Sequence, residues 1–130
     1  MSVYLDASAA AKLVVAEPES EGLASWLRDA RASGSDAMSS VLLETELRRL
    51  AWRVGIDQTA VTTVLDRLEL VDVDRSLFRE AGLLAGRHLR SLDALHVAVA
   101  IRVDADVFVS YDDRRADAAA AVGLRVLAPT

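Results

Sequence analysis

A chain of 130 residues is the size of one domain and long enough to bury a core without disulfides or a structural metal. It has no cysteine, which excludes disulfides, thiolate zinc sites and cysteine nucleophiles, and its 52% hydrophobic fraction excludes disorder. Twenty acids against 15 bases give a net charge of −5, which excludes a protein that holds nucleic acid by bulk charge, so any such contact must come from local arginines.

The start, Met1-Ser2-Val3-Tyr4-Leu5-Asp6, lacks a basic segment followed by an apolar run and reads as a first strand, not a signal peptide. Val3 to Leu5 is expected to be that strand. A helix follows over Ala7 to Ala16, stopped before Pro18, and a second over Glu19 to Ala32, ended by Ser33-Gly34. Ala37 to Ser39 reads as a weak strand. Ser40 to Val54 reads as a helix closed by Gly55, and Asp57 opens another to about Leu68. Leu70 to Val73 is a short strand. Arg75 to Gly86 and Leu92 to Arg102 are helices. Val107 to Val109 has the continuous apolar character of a buried parallel strand. A helix over Asp113 to Val122, closed by Gly123, and a strand over Leu124 to Leu127 end the chain. Strands alternating with helices imply an α/β fold with a parallel sheet in a layered sandwich, one domain over residues 1–130. The longest apolar stretch, Leu92 to Ile101, is shorter than the roughly 18 residues that cross a bilayer and carries Asp93 and His96, so a soluble, cytoplasmic protein without a membrane partner is expected.

Four acids stand out by position. In open parallel sheets, ligands bind beyond the carboxyl ends of the strands. Asp6 directly follows the first strand, and Asp112 follows Val107 to Val109 through Ser110-Tyr111, so both project at one edge; either could equally cap the helix that follows it. Glu46 borders the apolar stripe Leu43, Leu47, Leu50 and Val54 and would be partly desolvated, unless it pairs on the surface with Arg49. Glu44, the competing acid, points towards Arg48 as an ordinary i, i+4 pair, which favours Glu46 for the site. Asp93 lies in the first turn of a helix that is apolar all round. The helix dipole favours an anion there, with Ser91 as the expected N-cap, but a charge on such a helix also invites a functional reading. His96, one turn on, reads as a core histidine or one supporting a ligand, since His88 and His96 match no zinc spacing.

Four carboxylates in one place would repel one another, and a divalent cation would relieve this. All-oxygen ligands select hard ions, Mg²⁺ or Mn²⁺, and such a site suits phosphodiester hydrolysis with one or two ions.

The pieces Tyr4-Leu5-Asp6-Ala7-Ser8-Ala9, Glu46-Leu47-Arg48, Leu92-Asp93-Ala94-Leu95-His96 and Val109-Ser110-Tyr111-Asp112 are each short. In this order and spacing, over the whole chain, they resemble PIN-domain ribonucleases, specifically VapC-type toxins of toxin–antitoxin pairs. The resemblance implies a three-layer α/β/α sandwich and Mg²⁺-dependent RNA cleavage by Asp6, Glu46, Asp93 and Asp112, with Asp6, Asp93 and Asp112 as metal ligands. It implies that Ser8 or Ser110 could meet a phosphate or a metal-held water. It also implies a homodimer, neutralised by a VapB-like antitoxin that places a basic side chain in the acidic site. Among the arginine clusters Arg48/Arg49/Arg53, Arg87/Arg90 and Arg114/Arg115, the last neighbours the site and is the favoured substrate contact. Asp113, directly after Asp112, reads as a helix N-terminal acid or a spare ligand.

Other readings fit less well. A receiver-like phospho-acceptor domain needs a lysine after a late strand, but the only lysine is Lys12. A haloacid-dehalogenase-type phosphatase would want a second aspartate at position 8, which is serine. The remaining alternatives are a DNA-directed nuclease and a non-catalytic nucleic-acid-binding module of the same fold. Only the resemblance separates RNA from DNA.

Overall fold

The side chains of the three central strands alternate between two cores. The computed structural model describes residues 1–130. In β1 (Ser2–Leu5), Val3 and Leu5 point to one side of the sheet and Tyr4 to the other; in β2 (Asp36–Ser40), Ala37 and Met38 divide likewise; in β4 (Val107–Val109), Val107 and Val109 oppose Phe108. This period of two on strands buried on both faces calls for helices above and below. One face is covered by α1 (Ala7–Val14), α2 (Ser20–Ala32), α3 (Leu42–Val54) and α4 (Gln58–Asp66), which supply Ala9, Leu23, Leu43, Leu47 and Val61 to the first core. The other is covered by α5 (Arg75–Gly82), α6 (Ser91–Arg102) and α7 (Asp113–Ala121), around Tyr4 stacked on Phe108 at 5.5 Å. The expected three-layer α/β/α sandwich is the observed one.

The sheet is wholly parallel, in the order β3-β2-β1-β4-β5, with β3 at Glu69–Val71 and β5 at Val126–Leu127. The chain winds from β1 outward to β3, then crosses back to β4 on the other side of β1. The carboxyl ends of β1 and β4 therefore flank the point where the winding reverses, the usual place for a ligand in such sheets. Leu5 pairs with Val109, and the Asp6 N–H continues the ladder to the Val109 carbonyl at 3.2 Å.

Several boundaries differ from expectation. α1 stops at Val14, because the Val15 N–H to Ala11 bond is its last. α5 ends at Gly82, not Gly86: Leu77 and Ala81 are its buried residues, and the chain then turns so that Leu84 and Leu89 pack on the second core. Gly86, at φ +129°, serves a turn inside that connection, a conformation that suits glycine. At α6, Arg90 holds the cap position without a side-chain bond, and Ser91 is already the first helical residue, so the expected serine cap is not formed. No helix is long and apolar enough to cross a membrane.

Candidate active site at the carboxyl edge of the sheet

Asp6 is fully buried and uses its two carboxylate oxygens differently. Oδ1 accepts the Ala9 N–H at 2.9 Å, capping α1, and the Ser8 hydroxyl at 2.6 Å. Oδ2 has no hydrogen bond and lies 3.0 Å from Nη1 of Arg115. Asp112 repeats the arrangement at the end of β4: its Oδ1 caps α7 by accepting the Arg115 N–H at 3.1 Å. The capping and ligand readings are thus compatible, because a carboxylate can cap with one oxygen and face the site with the other.

Asp93 sits in the first turn of α6, where eight successive residues, Asp93 to Ala100, are buried. So apolar a setting demands a counter-charge, and Arg115 supplies it. The guanidinium is itself only 8% exposed; Nε donates to Asp93 Oδ1 at 2.8 Å and Nη2 donates to the same oxygen. Burial works against the Arg115 charge, but Asp6 and Asp93 more than offset it and hold its pKa above the ordinary value. One arginine thereby bridges the acid at the end of β1 and the acid on α6.

Glu46 lies on α3, and its Oε1 meets Nε2 of His96 at 2.6 Å. The other ring nitrogen of His96, Nδ1, is 2.7 Å from the Tyr4 hydroxyl. Burial pushes the Tyr4 phenol far above its usual pKa, so it keeps its proton. With the phenol as donor to Nδ1, the imidazole proton stands on Nε2 and is donated to Glu46. A fully buried histidine thus fixes the orientation of the glutamate. Glu44 faces away and pairs with Arg48, which also reaches Gln58 and Thr62. The surface pair of Glu46 with Arg49 is not formed; Arg49 is exposed.

Beside Glu46 runs a groove of about 690 Å³, lined among others by Ser8, Glu46, Arg49, Arg53, Leu92 and Arg115. Ser8, which lines it, is braced by Ser110. Ser8 Oγ also accepts the Tyr111 N–H at 2.9 Å and lies 3.4 Å from Ser110 Oγ, while Ser110 Oγ accepts the Asp112 N–H at 3.2 Å. These hydroxyls tie the loop after β1 to the loop after β4, and Ser110 is buried. Arg114 is turned elsewhere, into a separate hollow with Arg87, His88 and Asp117, and Asp113 is exposed on the first turn of α7.

The structure therefore brings Asp6 and Asp93 onto one guanidinium, places Glu46 on the adjoining groove, and links Asp112 to both through Arg115 and Ser110. No three acidic or imidazole groups converge closely enough to hold a metal ion as they stand, and Arg115 lies between Asp6 and Asp93. From the sequence, Arg115 is a surface group, solvated or ion-paired, and with Arg114 the favoured substrate contact among the arginines; in the structure it is buried and committed to the acids. The signal was available, since Arg115 lies one turn before Ala119 on the buried face of α7. Tyr4 was read only as part of a strand, and nothing in its spacing shows its bond to His96.

Comparison with known proteins bears on the family and the fold. The PIN domain family model matches residues 3–121. Ribonuclease VapC46 of Mycobacterium tuberculosis is 39% identical, with 99% of this chain and 98% of that protein covered. Ribonuclease VapC47 of the same species is 34% identical over 98% of this chain and 96% of its own length. Among solved structures, M. tuberculosis VapC20, described as a sarcin-ricin loop cleaving toxin, superposes with a TM-score of 0.74 at 19% identity, covering 98% of this chain and 99% of that one. VapBC2 from Rickettsia felis, bound to a DNA fragment from its promoter, gives 0.74 at 16% identity over the full length of both chains. The fold agrees with the last two, and the extent and identity of the sequence matches decide the kinship: this chain belongs to the PIN-domain family, among the VapC ribonucleases.

Proposed function

We propose that the protein is an endoribonuclease that hydrolyses RNA phosphodiesters with a divalent cation, Mg²⁺ or Mn²⁺, held at Asp6, Asp93 and Asp112, and that it is the toxin of a pair with a VapB-like antitoxin. The carrying observation is that two buried carboxylates, from the end of β1 and the start of α6, face a single cationic group beside an open groove whose wall bears Glu46. RNA as the substrate rests on the relatives, which are named ribonucleases.

The donor set fits a hard cation. Asp6 Oδ2 is buried without a hydrogen bond, and only Oδ1 of Asp93 and of Asp112 is engaged, so each acid keeps an oxygen for the ion. When bound, the cation supplies neutralising charge at the phosphate and lowers the pKa of water. The remaining work falls to the chain. His96 holds one oxygen of Glu46 and leaves the other without a protein partner on a residue that lines the groove, where it would orient the attacking water and accept its proton. Arg49 and Arg53, about 6 Å apart along α3 and free of ion pairs, offer two contacts for the phosphates of a strand lying in the groove. Exposed Trp52, next to Arg53 but outside the groove lining, offers a face for a base at its rim. Exposed Phe78 and Leu83, after the second core is closed, are the candidate face of a homodimer.

The test is cleavage of RNA with Mg²⁺, with chelator and with a DNA strand of the same sequence. Asp6→Asn and Asp93→Asn are each expected to lose at least about 100-fold in rate while remaining folded by circular dichroism, more than the loss typical of residues that only support a ligand. Wild-type rates in either variant would overturn the site, and cleavage of the DNA alone would overturn the substrate.

A further inference from the structure

Arg115 presents a problem that its ion pairs do not resolve. The buried side-chain atoms without a hydrogen-bond partner are Asp6 Oδ2 and Arg115 Nη1, and they face each other across 3.0 Å. The separation suits an ion pair, but the alignment does not make a hydrogen bond. On the other side, Nε and Nη2 converge on one oxygen of Asp93 instead of forking onto both. A planar guanidinium stretched between two carboxylates engages neither fully. It supplies one positive charge against two negative ones, in a place where burial makes the deficit costly.

There is also somewhere for it to go. Arg115 lines the open groove that contains Glu46 and Ser8. Its backbone is fixed by the bond from its N–H to Asp112, so the side chain can swing while α7 stays in place.

We propose that Arg115 is a positioning residue that acts as a resident counter-ion: its guanidinium and a divalent cation are alternative occupants of the gap between Asp6 and Asp93, and loading of the cation releases the guanidinium into the groove. This rests on the metal reading above. The empty-handed protein is then held together by the arginine, which keeps the two acids apart and ordered. A divalent ion brings twice the charge and satisfies the oxygens the arginine leaves bare. The displaced guanidinium arrives where a phosphate of the substrate would lie, so cation binding and anion binding in the groove favour each other.

The experiment uses Mn²⁺ alone as the probe and needs no RNA. Calorimetric titration of wild type, Arg115→Ala and Arg115→Lys is expected to show Mn²⁺ bound at least about tenfold more tightly by Arg115→Ala, about 1.4 kcal/mol. Arg115→Lys should fall between the two, because an ammonium still competes but cannot span both acids. In wild-type protein labelled with ¹⁵N, the Arg115 Nε–H resonance should move towards that of a solvated arginine as Mg²⁺ is added. This second readout decides the matter even if Arg115→Ala fails to fold. Equal or weaker Mn²⁺ binding by Arg115→Ala, or an Nε–H resonance unmoved at saturating Mg²⁺, overturns the proposal and leaves the metal site intact. Binding by neither wild type nor Arg115→Ala, or undiminished binding by Asp6→Asn, overturns the metal reading itself.

Discussion

Helices α3 and α6 each bring an acid to the same edge of the sheet, from opposite faces and by opposite means. α3 is one-sided: Leu43, Leu47 and Ala51 are buried, while Thr45, Arg49, Trp52 and Arg53 are exposed. α6 has no polar side from Asp93 to Ala100. Glu46, at the border of the α3 stripe, remains partly open to the groove, and the His96 imidazole holds it. Asp93, surrounded by apolar neighbours, takes an arginine. The two acids differ in partner more than in exposure: a hydrogen bond to a buried histidine orients the carboxylate on α3, and an arginine charge meets the carboxylate on α6.

The most severe way to break this comparison is on α3 itself. Glu44 and Glu46 are two residues apart and so lie on nearly opposite sides of the helix. Glu46→Gln is expected to abolish cleavage, because it removes the acceptor that faces the groove. Glu44→Gln should leave the rate unchanged and cost about 0.3–0.5 kcal/mol at most, the scale of an exposed i, i+4 pair. Cleavage assays and denaturant melts on the two variants check this, and the reverse pattern would sink the assignment of the glutamate.

The next effect concerns the histidine that joins the two helices. His96→Phe removes the donor to Glu46 and leaves the buried Tyr4 hydroxyl without a partner. A stability loss of about 2 kcal/mol is expected from the orphaned hydroxyl and lost bond. A rate loss of about 10–100-fold is expected from the unheld glutamate. Adding Tyr4→Phe should recover part of the stability, since no hydroxyl is then orphaned, but none of the rate. A double variant whose rate recovers with its stability would make His96 a packing residue only.

How far the sequence could foretell this edge depends on what each residue needed. The strands and the layered fold were legible because period-two burial and helix stops are local signals; Val107 to Val109 matches the expected strand residue for residue. Asp6 was legible as a candidate because it directly follows its strand, and Asp112 because it lies three residues beyond β4 at the start of the next helix. The Glu46 side of α3 followed from the apolar stripe. What sequence could not supply was pairing across the fold. Arg115 meets Asp6 from 109 residues away, and Tyr4 meets His96 across 92, and no periodicity encodes such contacts. The four-acid cluster expected at this edge came out as two acids clamped by an arginine, because the count of carboxylates said nothing of the cation already folded among them. The early end of α5 has a simpler cause: the helix closes at Leu83, and the chain beyond it turns so that Leu84 packs on the second core.

The smallest effect sharpens the contrast between α6 and its neighbour α5. Asp74 caps α5, accepting the Leu77 N–H at 3.0 Å. Its bonds from Ser76, Arg102 and that N–H hold its carboxyl well below the usual range. α6 has no such cap: Arg90 occupies the position with its side chain unbonded, and a cation there opposes the positive end of the helix. Asp93, three residues on, would be the natural reciprocal partner of a capping hydroxyl, but its carboxylate is turned to Arg115. The start of α6 thus has no side-chain cap, while its acid is paired with Arg115. Arg90→Ser is expected to stabilise the protein by about 0.5–1 kcal/mol, by supplying a hydroxyl to the free N–H groups of the first turn. For a domain of this size that is a rise of about 2–5 °C in Tm. Mn²⁺ affinity should stay as it is, because the hydroxyl serves backbone groups and leaves the Asp93–Arg115 contact alone. A melting temperature that is unchanged or lower would mean that the first turn of α6 already has its donors satisfied. The absence of a cap would then carry no cost, and the difference between the two helices would lie in their acids alone.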